Sequence, residues 1–225
     1  ADYFDTRRSW LQFDVSLPGA NRGHFGPHGS ACNLINQITV STRSGDVLCQ
    51  LFDYNLMQAM LLPITYDKEW VDTVGQTMGY GGNIKPGGDG PAFSTQRLMI
   101  PMYVLSPLFS YGRLMPAMLM SGLRIEILWA DAKTALKSAA AAIPSYTISN
   151  PQFVLSSIQL SDSIQRSLNE LSATNGLEIV YTDYERTPFT QNNNLSNAHI
   201  EIRKSCSRAL HDFRISMCAL LKLLF

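Results

Sequence analysis

Strict alternation of apolar and polar residues marks half-buried strands along this chain. Leu11, Phe13 and Val15 alternate with polar neighbours until a Pro-Gly pair ends the run at positions 18 and 19. The same period of two recurs at intervals and predicts about eight strands, at residues 11–17, 34–40, 98–104, 123–129, 146–149, 153–160, 177–181 and 200–202. Their inward faces should carry Leu11, Phe13, Val15, Ile125, Ile127, Ile179 and Ile200.

Helical patterns are few and short. Apolar residues from Leu48 to Met60 recur with a period near 3.6 and predict a helix that ends before Pro63. A second helix should begin at Ser161 or Asp162, carry Ile164, Leu168 and Leu171 on one face, and end before Gly176. The Ala- and Lys-rich stretch 131–142 predicts a turn or two of exposed helix.

These elements predict an all-β fold, an antiparallel jelly-roll sandwich of about eight strands with two short helices in its connections. The jelly roll is favoured over an immunoglobulin-type sandwich because helices interrupt the connections and the loops differ greatly in length. We expect residues 1–210 to form one jelly-roll domain and residues 211–225 to begin a following segment or tail. The stretch 75–91, with seven glycines, predicts a long surface loop with little to bury.

Composition narrows the functional classes. Charged residues make up 16% of the chain against about 25% in an ordinary soluble domain, so neutral polar residues must supply much of the surface. The net charge of zero gives no support for binding nucleic acid through its phosphates. No apolar run reaches the ~18 residues of a membrane span, and no secretory signal opens the chain. Low charge is typical of a protein that covers its flanks with neighbours.

The four cysteines do not form a metal-binding or disulfide pattern. No C-x-x-C pair occurs, and we expect reduced, mostly buried thiols at Cys32, Cys49, Cys206 and Cys218. His24, His28 and Cys32 share a four-residue spacing that would suit zinc on a helix, but Gly26, Pro27 and Gly29 disfavour a helix there. We therefore expect no metal at this cluster.

Other catalytic patterns are incomplete, so no catalytic or cofactor-binding residue is assigned. The glycine-rich stretch lacks the Lys-Ser/Thr ending of a phosphate-binding loop, and no G-x-S-x-G elbow occurs. A cluster of carboxylates, Asp67, Glu69 and Asp72, could supply the pair that glycoside hydrolysis needs. The setting of the cluster is instead typical of a solvated face. The sequon at Asn194 is interpreted as chance. The chain is not expected to be an enzyme.

Three segments carry a family resemblance: GSACNLINQITVSTRSGDVLCQLFDYNLM, SPLFSYGRLMPAMLMSGLRIEILWA and IEIRKSCSRAL. They resemble the double jelly-roll major capsid proteins of polinton-like viruses, virophages and adintoviruses. Such proteins carry two jelly rolls per chain, and 225 residues match only the first. The final SMCALLKLLF departs from the pattern of that family, so the chain is either a fragment or a single-roll protein similar to it.

The resemblance implies a structural role in a virion. Three chains would form a pseudo-hexagonal capsomer, and capsomers would tile an icosahedral shell assembled inside the host cell. The implied partners are other copies of the chain, neighbouring capsomers and penton or minor capsid proteins, with no cofactor. Two other classes stay open: a lectin-like jelly roll, with aromatics and carboxylates converging at a cleft, and a cupin-type enzyme, with a histidine-rich metal motif.

Overall fold

The alternating segments of the sequence form antiparallel strands. The structure is a computed structural model that describes residues 2–17, 23–25, 28–80, 95–112, 114–117, 122–138, 145–175, 179 and 181–184. Within these residues the strands are β1 Asp2–Ser16, β2 Gly23–His24, β3 Ile35–Thr42, β4 Val47–Leu51, β5 Gln96–Pro101, β6 Met115–Pro116, β7 Leu123–Trp129, β8 Lys137–Ser138 and β9 Thr147–Gln159.

Two sheets carry most of the fold. In the first, β1 pairs along one side with β9 and along the other with β5 and β6 in succession. In the second, β3 lies between β4 and β7. Every pairing is antiparallel, β2 with β8 included. The predicted all-β fold of antiparallel strands is therefore confirmed and is consistent with a sandwich, whereas the jelly-roll order of the strands stays a prediction.

The helices are short. Among the described residues, those that lie between strands are α1 Tyr54–Thr65, α2 Lys68–Trp70, α3 Met102–Leu105 and α4 Ala132–Ala135, and α5 Asp162–Asn175 follows β9. The backbone continues from α2 through a π-helical turn at Val71–Gly75, and 3₁₀ turns occupy Ala31–Leu34 and Pro107–Tyr111.

The predicted inward positions lie in the core. Leu11, Phe13, Val15 and Ile179 are buried, and Ile125 and Ile127 pack against the core while partly exposed. The sheets meet where the Phe13 ring contacts the Trp129 ring edge-on, with centroids 5.3 Å apart. Ile200 lies outside the described residues, as do the predicted strand 200–202 and the predicted tail 211–225.

Two strand predictions need correction. The strand predicted over 98–104 ends at Pro101, and Met102 begins α3. The two strands predicted at 146–149 and 153–160 are one strand, β9, because Asn150 adopts a left-handed conformation with φ 52° and shifts the register against β1 without breaking the pairing. Of the strand predicted at 177–181, Ile179 and Tyr181 are described, and both are buried.

The first predicted helix was placed too early. Leu48 and Leu51 belong to β4, where they are buried, and the helix begins at Tyr54. It also continues past Pro63 to Thr65, because an exposed proline near the end of a helix removes only one backbone hydrogen bond. The second predicted helix is confirmed as α5, although Ile164 and Leu168 are exposed on it.

Two stretches predicted to be exposed are partly buried. In 131–142, α4 is a single turn, and Ala135 and Leu136 are buried against the core. In the predicted surface loop 75–91, residues 75–80 continue the helical segment, and Met78 and Tyr80 are buried. That prediction was wrong for residues 75–80, because the apolar side chains between the glycines have core to pack against; residues 81–91 lie outside the described part.

Candidate interaction surface

Helix α1 buries polar side chains and turns apolar ones to solvent. The Tyr54 hydroxyl donates to the Val104 carbonyl at 2.9 Å, and Gln58 Nε2 donates to the same oxygen at 3.1 Å. This carbonyl lies in the last turn of α3, where carbonyls lack partners within their own helix. Both donors are buried. The helix is therefore fixed to the core by hydrogen bonds as well as by packing.

The outer face of α1 is a continuous apolar row. Phe52 precedes the helix, and Leu56, Met60 and Ile64 follow at steps of four, which aligns side chains along one face of a helix. Their exposed fractions are 45%, 57%, 39% and 77%, in that order. We call these four residues the α1 stripe. No residue of α1 is charged, so nothing on the helix itself opposes contact with another apolar surface.

Strand β9 presents a second uncharged surface. Its thirteen residues carry no charge, and within the described residues β9 pairs with β1 alone. Phe153 and Leu155 are exposed on it. We call residues 152–159 the β9 edge. An uncharged strand edge with free main-chain groups is a template for pairing with another strand.

The two described cysteines are core residues. Cys32 and Cys49 are free and buried, and burial raises the pKa of their thiols to about 11 and about 12 respectively. A thiol becomes nucleophilic by ionising, so neither is suited to catalysis near neutral pH. The predicted buried thiols are confirmed at these two positions; Cys206 and Cys218 lie outside the described residues.

The side-chain network around Asp14 holds strands together. Asp14 on β1 accepts hydrogen bonds from Arg97 Nε at 2.8 Å on β5 and from Asn150 Nδ2 at 3.0 Å on β9. The bond from Arg97, followed by that from Asn150, lowers the pKa of Asp14. A carboxyl group held as the anion by two donors cannot act as a general acid, so its role is to join three neighbouring strands.

The three residues with four-residue spacing lie on different parts of the fold. His24 is in β2, His28 lies in an exposed turn, and Cys32 is in the core, where its sulfur is 3.6 Å from the Tyr54 hydroxyl. In the part of the chain that is described, no three His, Cys, Asp or Glu residues are grouped so as to hold a metal ion.

The acidic cluster is solvated, as predicted. Asp67 Oδ1 accepts from the Trp70 amide at 2.9 Å and so caps α2, while Glu69 and Asp72 are exposed. These carboxylates stabilise a helix start and face water.

An open groove lies beside the ends of β7 and β9. Its volume is about 530 Å³, and its lining includes Trp129, Tyr146, Ile148 and Pro151. The Tyr146 hydroxyl donates to the Ala130 carbonyl. Among the described residues that line the groove there is no carboxylate.

Comparison with protein-family models, curated proteins and solved structures finds no significant match of any of the three kinds. Among the described residues, no helix has the length and apolar character needed to cross a membrane. The α1 stripe and the β9 edge are thus the features of the described fold that most need a functional explanation. Their signal in the sequence is the lack of charge over 54–65 and 147–159.

Proposed function

We propose that the chain is a structural capsid protein, a jelly-roll domain that self-associates into trimeric capsomers of an icosahedral DNA-virus shell. The observation that carries this proposal is the α1 stripe, an apolar row on an uncharged helix. Exposed apolar patches on soluble proteins mark interaction sites, and no charged residue of α1 interrupts this one. The antiparallel strands and the resemblance in the three sequence segments support the same function.

The physical mechanism of assembly would be burial of apolar surface joined to main-chain pairing. The α1 stripe supplies area whose removal from water is favourable at about 25 cal/mol per Å². Within the described residues β9 pairs with β1 alone, so its other edge could pair with a strand of another subunit. The two surfaces lie on different elements, so one subunit can engage more than one neighbour.

Neither the groove nor the polar network offers comparable support for the alternatives. The described lining residues of the groove include aromatic rings but no carboxylate beside them. Asp14 is occupied by Arg97 and Asn150. We therefore place self-association ahead of the lectin-like and cupin-type functions.

Sedimentation velocity at micromolar concentration, combined with electron microscopy, tests this function. It should be run on the 225-residue chain and on the longest reading frame that contains it. We expect trimers, rings or larger particles from the latter, each chain burying more than the ~800 Å² per partner of a standard interface. A soluble monomer at every concentration, with no particles, would reject the proposal.

A further inference from the structure

The α1 stripe has the geometry of a helix–helix contact. Leu56, Met60 and Ile64 form a ridge along the i, i+4, i+8 row, and Phe52 extends it at the N-terminal end. Ridges of this kind interdigitate with the same kind of ridge on another helix, crossing at about −50° in the commonest class of packing. The stripe therefore matches a second stripe of its own kind.

The absence of charge favours a second copy over a charged partner. The residues of α1 that face away from the core include Leu56, Ala59, Met60 and Ile64, none of which can form an ion pair. Two such surfaces meet without like-charge repulsion and leave no charge buried and unpaired. A basic or acidic partner helix would gain nothing from this face.

The size of the stripe indicates a contact that is effective when many copies of it form together. Four side chains of this size at these exposures present on the order of 300–400 Å² of apolar surface, the size of the largest patch on an ordinary monomer. That is about half of the ~800 Å² per partner found in a standard interface. Such a contact is weak between two free chains and becomes effective when many are made together, as in a closed shell.

We propose that the α1 stripe is a two-fold contact between copies of this chain, with α1 of one copy packed across α1 of the next. A two-fold contact uses the same surface on both partners, so it needs no second complementary patch. The inference rests on the proposed shell function for its setting: since the capsomer is a trimer, a two-fold contact through α1 would join neighbouring capsomers.

Disulfide trapping tests the contact in the full 225-residue chain. Met60→Cys places a thiol at the middle of the stripe, where a two-fold crossing brings the two copies together; Ser44→Cys places one in the exposed turn between β3 and β4 as the matched control. Cys206 and Cys218 are changed to serine in both. Under mild oxidation we expect Met60→Cys to give several-fold more covalent dimer than Ser44→Cys.

A second variant separates contact from random collision. Leu56→Glu with Ile64→Glu, added to Met60→Cys, puts like charges across the proposed crossing and should bring the dimer yield down to that of Ser44→Cys. Circular dichroism checks that the exposed substitutions leave the fold intact. Equal yields from Met60→Cys and Ser44→Cys, or a yield unaffected by the two glutamates, would overturn the two-fold contact.

The outcomes also separate this inference from the proposed function. Trimers or rings in sedimentation without Met60→Cys dimers would reject the two-fold contact and leave the shell function standing. Met60→Cys dimers with no species larger than a dimer, in the longest reading frame, would support the contact and reject the shell function.

Discussion

At the residue scale, a few buried polar groups join elements that are far apart in the sequence. Asp14 accepts hydrogen bonds from β5 and β9, the two strands that flank it in the sheet. Tyr54 and Gln58 bring α1 and α3 together at one carbonyl. Losing all of its donors would leave a buried acceptor unsatisfied, so these groups are sensitive points for stability.

The Asp14 network predicts a pH-dependent loss of stability. The pKa of Asp14 is lower in the folded chain than the ~3.9 of an unfolded aspartate, so its contribution is present above about pH 4 and is lost as the pH falls through the lowered folded value. Asp14→Asn should therefore reduce the free energy of unfolding at neutral pH, and the gap to wild type should narrow below pH 4.

Urea unfolding of both proteins at neutral and acidic pH measures this gap. Asp72→Asn, which alters an exposed carboxylate, is the control and should change stability little at either pH. A gap for Asp14→Asn that is unchanged on acidification would contradict the assignment.

The shared Val104 carbonyl predicts a non-additive pair of mutations. Tyr54→Phe or Gln58→Met alone removes one of two donors, so each should cost about 1 kcal/mol, the net worth of one hydrogen bond. The double variant removes both donors from a buried carbonyl and should cost more than the sum of the two single changes.

A double-mutant cycle by urea unfolding tests this coupling. The control pair is Cys32→Ala with Gln58→Met. The Cys32 sulfur lies 3.6 Å from the Tyr54 hydroxyl and is not one of the two donors to the Val104 carbonyl, so these two changes should be additive. Strict additivity of Tyr54→Phe and Gln58→Met would show that Val104 finds another donor.

At the element scale, the sequence identified most of the strands and misjudged what faces solvent. Period-two alternation located β1, β3, β5 and β7 because one side of each strand packs on the core. It could not locate β4, since the same apolar residues also fit a helical period. Leu48 and Leu51 proved to be strand residues, and Leu56 and Met60 proved to be exposed.

The exposure of the apolar face of α1 could not be predicted from its period. Periodicity reports which residues share a face of a helix and does not report whether that face meets the core or another molecule. Here the core side of α1 includes Tyr54, Asn55 and Gln58, whose polar groups are accommodated by hydrogen bonds that sequence alone does not show. Some polar side chains of α1 therefore face the core and some apolar ones face solvent, which is the reverse of an ordinary surface helix.

The β9 edge predicts that self-association can be weakened with little change in the free energy of unfolding. Leu155→Lys adds a charge to a strand edge, which should oppose strand-to-strand contact between molecules. Because Leu155 is already exposed, the free energy of unfolding should change by no more than about 0.5 kcal/mol. Light scattering at rising concentration should show a later onset of association.

Leu168→Lys is the matched control, since it places the same charge on an exposed leucine of α5. If both variants delay association equally, the effect is one of net charge. Association through the β9 edge would then be ruled out.

At the scale of the whole molecule, one core unites the two sheets with α1, α3 and α4. The buried apolar cluster includes residues of β1, β3, β4, β5 and α1. With 18 basic and 18 acidic residues the net charge is zero, so no long-range repulsion keeps copies apart.

This balance predicts how assembly responds to salt. Association driven by the uncharged α1 stripe and β9 edge should not weaken when NaCl is raised from about 0.05 to about 0.5 M, a range over which screening suppresses ion-pair contacts. Sedimentation velocity across this series measures it. Dissociation at high salt would instead assign the contacts to charged residues.

The pairing of β1 with β9 also has a consequence for how the chain reaches its native state. Gln12 meets Gln152 from 140 positions away, so the first described strand is completed by the last described strand. Contacts this distant in sequence give a high contact order and slow folding. At ribosomal rates of about 5–20 residues per second, β1 would wait on the order of ten seconds for its partner. The apolar face of Leu11, Phe13 and Val15 is therefore where a chaperone would engage the nascent chain.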